Sequence, residues 1–317
     1  MRMRGEGSGS ALLAAAAAVF AVCLWEAAPA AGRTVVDQTG RQVTVPDRPC
    51  RVVALAPSIT EMVFALGKGA LLAGATAFSD FPEEALGLPA VGPYVHPDIE
   101  RIAALSPDLC LAIRDGNPLD SVKRLERLGI PVYALDPRGL DGVIQALENL
   151  GGLLGAGEEA AGLTAAIRTC RDRIVEAAAA SGTRPRVFFQ VGVSPIVSAG
   201  SGTFIHELIT LAGGENVTAG PVPWPRLNAE QVLALNPEVV IITSMSGGPN
   251  QGEAIQALER WRALSAAEAG RIHVAEAALF DRPGPRLILA LEILARCVHP
   301  ELELEPCSLP TVAQSSK

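Results

Sequence analysis

Short apolar runs alternate with amphipathic stretches along nearly the whole chain. Residues 51–56 (RVVALA) read as a buried strand ended by Pro57 and Ser58. Ser58 or Thr60 is suited to cap the next helix, which stops at Gly67. Strands over 71–76, 109–113 and 132–135 follow, interleaved with helices over 98–105, 119–128 and 141–154. Upstream, polar and apolar residues alternate over 34–45 around Thr39-Gly40, which predicts an edge hairpin. The pattern restarts beyond residue 183. Strands are predicted over 187–191, 239–243 and 272–275, and helices over 204–212, 229–235 and 287–297. This alternation predicts an α/β fold: doubly wound, mostly parallel sheets with helices on both faces.

Between the two halves, residues 158–181 form one long helical pattern, about 36 Å if unbroken. Leu163, Ile167, Cys170, Ile174 and Ala177 make a single apolar stripe, and Arg168, Arg171, Asp172, Arg173 and Glu176 take the remaining surface. The flanking halves resemble each other. ERIAALSPDLCLAI from Glu100 matches EQVLALNPEVVIIT from Glu230 at a constant offset of 130 positions, and TEMVFALG from Thr60 pairs with HELITLAG from His206. Each half is too long to be a solenoid repeat. The expected organisation is a lobe over 33–156, a bridging helix over 157–182, a second lobe over 183–305 and a loose tail over 306–317.

Composition changes the picture at the N-terminus first. Arg2 and Arg4 precede the apolar run 11–22, and Ala28-Pro29-Ala30 offers a small-x-small cleavage site. Residues 1–30 therefore read as a secretory signal peptide, with an uncleaved N-terminal anchor as the alternative. Val22 stands before Cys23 where lipid attachment wants a small residue. The 317 residues carry a net charge of −8 without a basic patch, which argues against nucleic acid. Cys50, Cys110, Cys170, Cys297 and Cys307 remain after cleavage, without CxxC spacing. Cys110 and Cys170 fall at core positions, and Cys297 and Cys307 are near enough in sequence to pair across the C-terminal turn.

Ligands in open parallel sheets gather outside the carboxyl ends of the strands. Those ends hold Phe78, Ser79, Asp80 and Arg114 in the first half, and residues 190–194, Ser244, Phe280, Asp281 and Arg282 in the second. Tyr94 and Trp224 are equivalent under the 130-residue offset, although only 4% of the chain is aromatic. Such residues suit a large, flat, partly polar ligand, against the simpler reading that they pack under loops. Glu100 and Glu230 open matching helices behind Asp98 and Asn228. The helix dipole alone would favour them there, and a two-point docking surface for a basic partner is the functional alternative. No GxSxG, GxxxxGK[ST] or HExxH motif occurs. His96, His206, His273 and His299 lack ligand spacing, so no metal site is predicted. Ser194 or Ser244 with His273 is the best nucleophile–base set that a secreted hydrolase would find here.

Taken in order, APSITEMVFALG, FSDFP, DIERIAALSPDL, RDGNP, VFFQVG, GGENV, VPWP, AEQVLALNPEVVIIT and FDRPGPRLILA resemble the single-helix-bridged periplasmic binding proteins of ABC importers. The similarity runs from Arg51 to about Arg296 and is strongest to the cobalamin-binding branch. It implies a corrinoid held between the lobes by Phe78, Tyr94, Trp224, Phe280 and Arg282, with Arg114 at the adjacent strand end. It also implies docking of Glu100 and Glu230 on arginines of a permease dimer, and neither a cofactor nor bond-making chemistry. Pocket positions Ile113, Val191 and Ala278-Leu279 depart from the expected aromatic or polar residues. Ferric siderophores and haem are the alternative ligands, and Tyr94 and His96 would serve haem.

Overall fold

The structure is a computed structural model and describes residues 32–243 and 258–310. The expected signal peptide, Ser244 and the last residues of the tail lie outside the described residues.

In the first lobe β1 (Gly32–Val36) and β2 (Gln42–Pro46) form the antiparallel hairpin. Asp37 fastens its turn by accepting the backbone N–H groups of Thr39 and Arg41 at 2.9 and 3.0 Å. Next come β3 (Val52–Ala54), α1 (Pro57–Ala65), β4 (Leu72–Ala75) and α2 (Ile99–Ala104). The lobe continues through β5 (Leu109–Ile113), α3 (Leu119–Arg127), β6 (Val132–Leu135) and α4 (Gly139–Leu154). The four strands from β3 to β6 pair parallel in the order β4-β3-β5-β6. Alternate strand residues serve opposite layers. Val53, Cys110, Ala112 and Val132 pack with Ile99, Ile102, Val122 and Leu125, while Val52, Leu109, Leu111 and Ile113 belong to the core shared with α1 and α4.

The bridge, α5 (Gly157–Ala180), is continuous over 24 residues. It buries Ala160, Leu163, Thr164, Ile167, Cys170, Ile174 and Ala178. Arg168–Glu148 at 2.7 Å and Arg171–Asp141 at 2.6 Å tie its polar face to α4. One hydrophobic core runs from α1 and α4 beneath the bridge to the helices of the second lobe, so the lobes share packing as well as a linker.

The second lobe contains β7 (Arg186–Val193), β8 (Ile196–Ser198), α6 (Phe204–Leu211), β9 (Glu215–Asn216), β10 (Arg226–Leu227) and α7 (Ala229–Leu235). It ends with β11 (Val239–Ile242), α8 (Ser265–Glu268), β12 (Ile272–Val274), α9 (Ala277–Phe280) and α10 (Leu287–Val298). β7, β11 and β12 are parallel neighbours, whereas β8 and β10 add antiparallel edges. The sequence pattern ends this first strand at residue 191. It runs on to Val193 because Ser194 and Pro195 make the turn of a β7–β8 hairpin instead of a loop exit, with Gly192 and Val193 paired to Val197 and Ile196.

Two further expectations are corrected. Neither Ser58 nor Thr60 caps α1, which begins with Pro57 at its first turn and has no side-chain cap. Cys307 bonds Cys170 of the bridge, not Cys297, across a Cα–Cα separation of 5.9 Å. The physical reason is the path of the C-terminal segment. Arg173 donates to the Glu305 carbonyl at 2.7 Å and Glu292 accepts the Cys307 N–H at 2.7 Å, so the segment is drawn over the bridge. Cys297 stays a free thiol, pushed up to about 11 by burial.

Candidate functional site

The carboxyl end of β4 leads into a loop that is fixed from below. Thr60, freed from capping, meets Ser79 at 2.9 Å, and Ser79 meets Thr76 at 3.0 Å, a buried hydroxyl chain that pins the loop to α1. With its base held, the loop presents Phe78, 50% exposed, and Asp80 to the solvent between the lobes.

From the other lobe, the segment after α9 reaches this loop. Arg282 donates to Asp80 Oδ1 at 2.5 Å, to the Phe78 carbonyl at 3.2 Å and to Glu61 Oε1 at 3.2 Å. Arg286 holds the same Glu61 in a two-point fork, Nε to Oε2 at 2.9 Å and Nη2 to Oε1 at 2.7 Å. Its guanidinium lies 3.8 Å from the Phe81 ring centroid. Glu61 is 3% exposed, a buried carboxylate on α1 bracketed by two cations. The hydrogen bond from Arg282 holds the Asp80 carboxyl below the usual carboxylate range. A second inter-lobe contact lies at α6, where Glu207 accepts the Leu140 N–H at 3.2 Å and burial pushes its carboxyl up.

Tyr94 and Trp224 are each seated by a glycine. A Cβ on Gly116 would come within 2.9 Å of the Tyr94 ring, so the 114–117 turn can approach it only without a side chain. Asn117 completes the seat by donating to the Tyr94 carbonyl at 2.7 Å and the Leu55 carbonyl at 2.9 Å. The Tyr94 ring stands edge-on to Phe78 with centroids 6.4 Å apart. Gly200 lies so close to Val222 that a Cβ would fall 2.0 Å from its carbonyl oxygen. With Gly200 N–H to Pro223 O at 2.7 Å and Ser198 N–H to Pro225 O at 3.0 Å, the loop is zipped to β8 and Trp224 is left 40% exposed.

The structure therefore joins Phe78, Tyr94 and Arg282 into one cluster, with Arg114 on the turn beside Tyr94. Arg114 is paired with Asp136 at 2.7 Å. Burial raises the Asp136 carboxyl, but hydrogen bonds from Arg138 and Arg114 outweigh it and set it below the usual range. Phe280 is corrected: it is 0% exposed and packs on Phe189 with centroids 5.3 Å apart, so it is core behind Arg282 and offers no surface to a ligand. Sequence reading missed Glu61, Phe81 and Arg286. A lone acid in the buried run of α1, together with two arginines four apart, was the available signal. His273 is half-buried in β12, its pKa lowered by burial. Ser194 is exposed at the β7–β8 turn.

Glu100 and Glu230 occupy equivalent exposed positions. Asp98 accepts the Arg101 N–H at 3.0 Å and Asn228 the Gln231 N–H at 2.8 Å, so each glutamate sits in a capped first turn. Glu100 makes one exposed ion pair, with Arg124 at 3.3 Å. A separate groove of about 700 Å³ lies at the opposite, amino-terminal ends of β5 and β6, between them and β2. It is lined by Arg41, Val43, Val45, Asp108, Glu126 and Pro131, and holds none of the cluster above.

Comparison with known proteins agrees with this architecture. The profile of the family described as periplasmic binding protein matches residues 52–279. The chain is 34% identical over 249 residues to the vitamin B12-binding protein of Photorhabdus laumondii, covering 78% of this chain and 87% of that one. It is 34% identical over 275 residues to the vitamin B12-binding protein of Yersinia pestis, covering 84% and 89%. Among solved structures, the periplasmic vitamin B12 binding protein BtuF of Vibrio cholerae superposes with TM-score 0.69 at 30% identity, over 82% of this chain and all of that one. A periplasmic heme binding protein from Pseudomonas aeruginosa gives 0.73 at 26%, over 83% and 96%. The bridged two-lobe architecture, the profile match and these relatives together place the chain in the periplasmic binding protein family.

Proposed function

We propose that this protein captures a corrinoid of the cobalamin class between its lobes, outside the cytoplasm, and delivers it unchanged to the permease dimer of an ABC importer. The observation that carries the reading is the cluster in which the exposed Phe78 meets the half-buried Tyr94 ring edge-on, with Arg282 of the other lobe donating to the Phe78 carbonyl, while the second lobe presents the exposed Trp224. Broad apolar faces with few fixed polar groups suit a macrocycle edged by amides. The named function of the relatives at 34% identity supports the same ligand class. Glu100 and Glu230, exposed on matching helices of the two lobes, are the proposed contacts to basic residues of the two permease subunits.

Haem is the second reading, favoured by Tyr94 and the exposed His96 beside it and by the likeness to the Pseudomonas aeruginosa protein. Purified protein titrated with cyanocobalamin, haemin and a ferric siderophore panel separates the two by tryptophan quenching, with Trp224 as reporter. Saturable quenching by cyanocobalamin alone is expected. Quenching by haemin or a siderophore with no response to cyanocobalamin would reject the corrinoid reading.

A further inference from the structure

The cations at the cleft are already spoken for. Arg282 and Arg286 face Glu61 and Asp80, two guanidiniums against two carboxylates, with every contact between 2.5 and 3.2 Å. Glu61 is buried under both arginines and out of reach of a ligand. Asp80 differs: its side chain is 58% exposed while that of Arg282 is 15% exposed. A ligand entering beside Phe78 therefore meets a carboxylate before it meets the guanidinium. Arg286 is held away from a ligand by its two bonds to Glu61 and by the Phe81 ring against its face, its side chain only 13% exposed.

We propose that Asp80 is a specificity-determining residue: by occupying and screening Arg282 it makes the cleft reject carboxylate-bearing macrocycles and accept those edged by neutral amides. The inference deepens the reading of the cleft as a corrinoid site and rests on it. Corrinoids and porphyrins are both large, flat and apolar-faced, so the aromatics alone discriminate poorly between them. They differ at the rim, where cobalamin carries carboxamides and natural porphyrins carry free propionates. A propionate approaching Arg282 is repelled by Asp80 and must displace it, whereas a carboxamide can share the same site through one hydrogen bond. Specificity of this kind comes from a repulsive element as much as an attractive one.

The test compares wild type, Asp80→Asn and Asp80→Glu by titration with cyanocobalamin, metal-free protoporphyrin IX and its dimethyl ester. Circular dichroism and melting temperature confirm that the variants are folded. Asp80→Asn is expected to bind protoporphyrin about ten-fold more tightly than wild type, the scale on which a like-charge contact at a partly exposed site acts. The dimethyl ester should change by less than about two-fold, and Asp80→Glu should restore discrimination. The gain should shrink with added salt. Protoporphyrin affinity that stays unchanged or undetectable in Asp80→Asn, or an equal gain for the ester, overturns the inference. Absence of cyanocobalamin binding to wild type would instead defeat the corrinoid reading, and the porphyrin ratio between variants would still report on the filter.

Discussion

Removing the Glu61 carboxylate while keeping its shape, as in Glu61→Gln, should destabilise the protein sharply. The side chain is 2% exposed, and its partners Arg282 and Arg286 are 15% and 13% exposed. Breaking a buried pair by removing one partner typically costs about 3–5 kcal/mol, because the remaining charge is left uncompensated. Here the loss is tempered. Arg282 keeps Asp80 and the Phe78 carbonyl, and Arg286 keeps the Phe81 ring, so about 3 kcal/mol is the expected cost. At roughly 2–4 °C per kcal/mol for a chain of this size, the midpoint should fall by about 6–12 °C. Urea denaturation and calorimetry would both report it, and the apolar double replacement Glu61→Leu, Arg286→Leu should recover part of the loss. A Glu61→Gln protein within about 0.5 kcal/mol of wild type would refute the clamp as an inter-lobe fastening.

Trp224→Ala should weaken corrinoid binding by about 1–3 kcal/mol, read by calorimetry, as truncating a large interfacial aromatic does. Burial pushes the Asp281 carboxyl up to about 6, with Arg282 pulling it the other way. The folded state thus holds that proton after the unfolded chain has released it, so the stability linked to it is full below about pH 4 and is lost as pH rises through 6. Asp281→Asn should accordingly be more stable than wild type by about 1–3 kcal/mol at pH 7 and equal to it at pH 3, measured by denaturation at each pH. The Glu100→Ala, Glu230→Ala double variant should bind ligand normally and fail in uptake with its permease; wild-type uptake would leave these residues only their helix-dipole role.

Much of this architecture was legible because its signals are local. The strand–helix alternation, the continuous bridge and the matched helices at Glu100 and Glu230 follow from periodicity and capping residues close in sequence. What escaped depends on partners far apart. Glu61 reads as one more polar residue on a helix until Arg282 and Arg286, more than two hundred residues away, arrive beside it. Phe280 looked available because it precedes Arg282 at a strand exit, yet the short α9 turns it inward onto Phe189. The Cys170–Cys307 bond needed the path of the C-terminal segment over the bridge, which Arg173 and Glu292 direct. Ser194-Pro195 is equally good as loop or hairpin turn, and only the pairing with β8 decides.

A corrinoid captured by this protein is expected to sit between the lobes against Tyr94 and Trp224. Calorimetric titration of cyanocobalamin into wild type and into a Tyr94→Ala, Trp224→Ala variant tests it most directly. One saturable site is expected in the wild type, with binding weakened at least a hundred-fold in a variant that remains folded. Equal binding by both proteins, or none by the wild type, would contradict it.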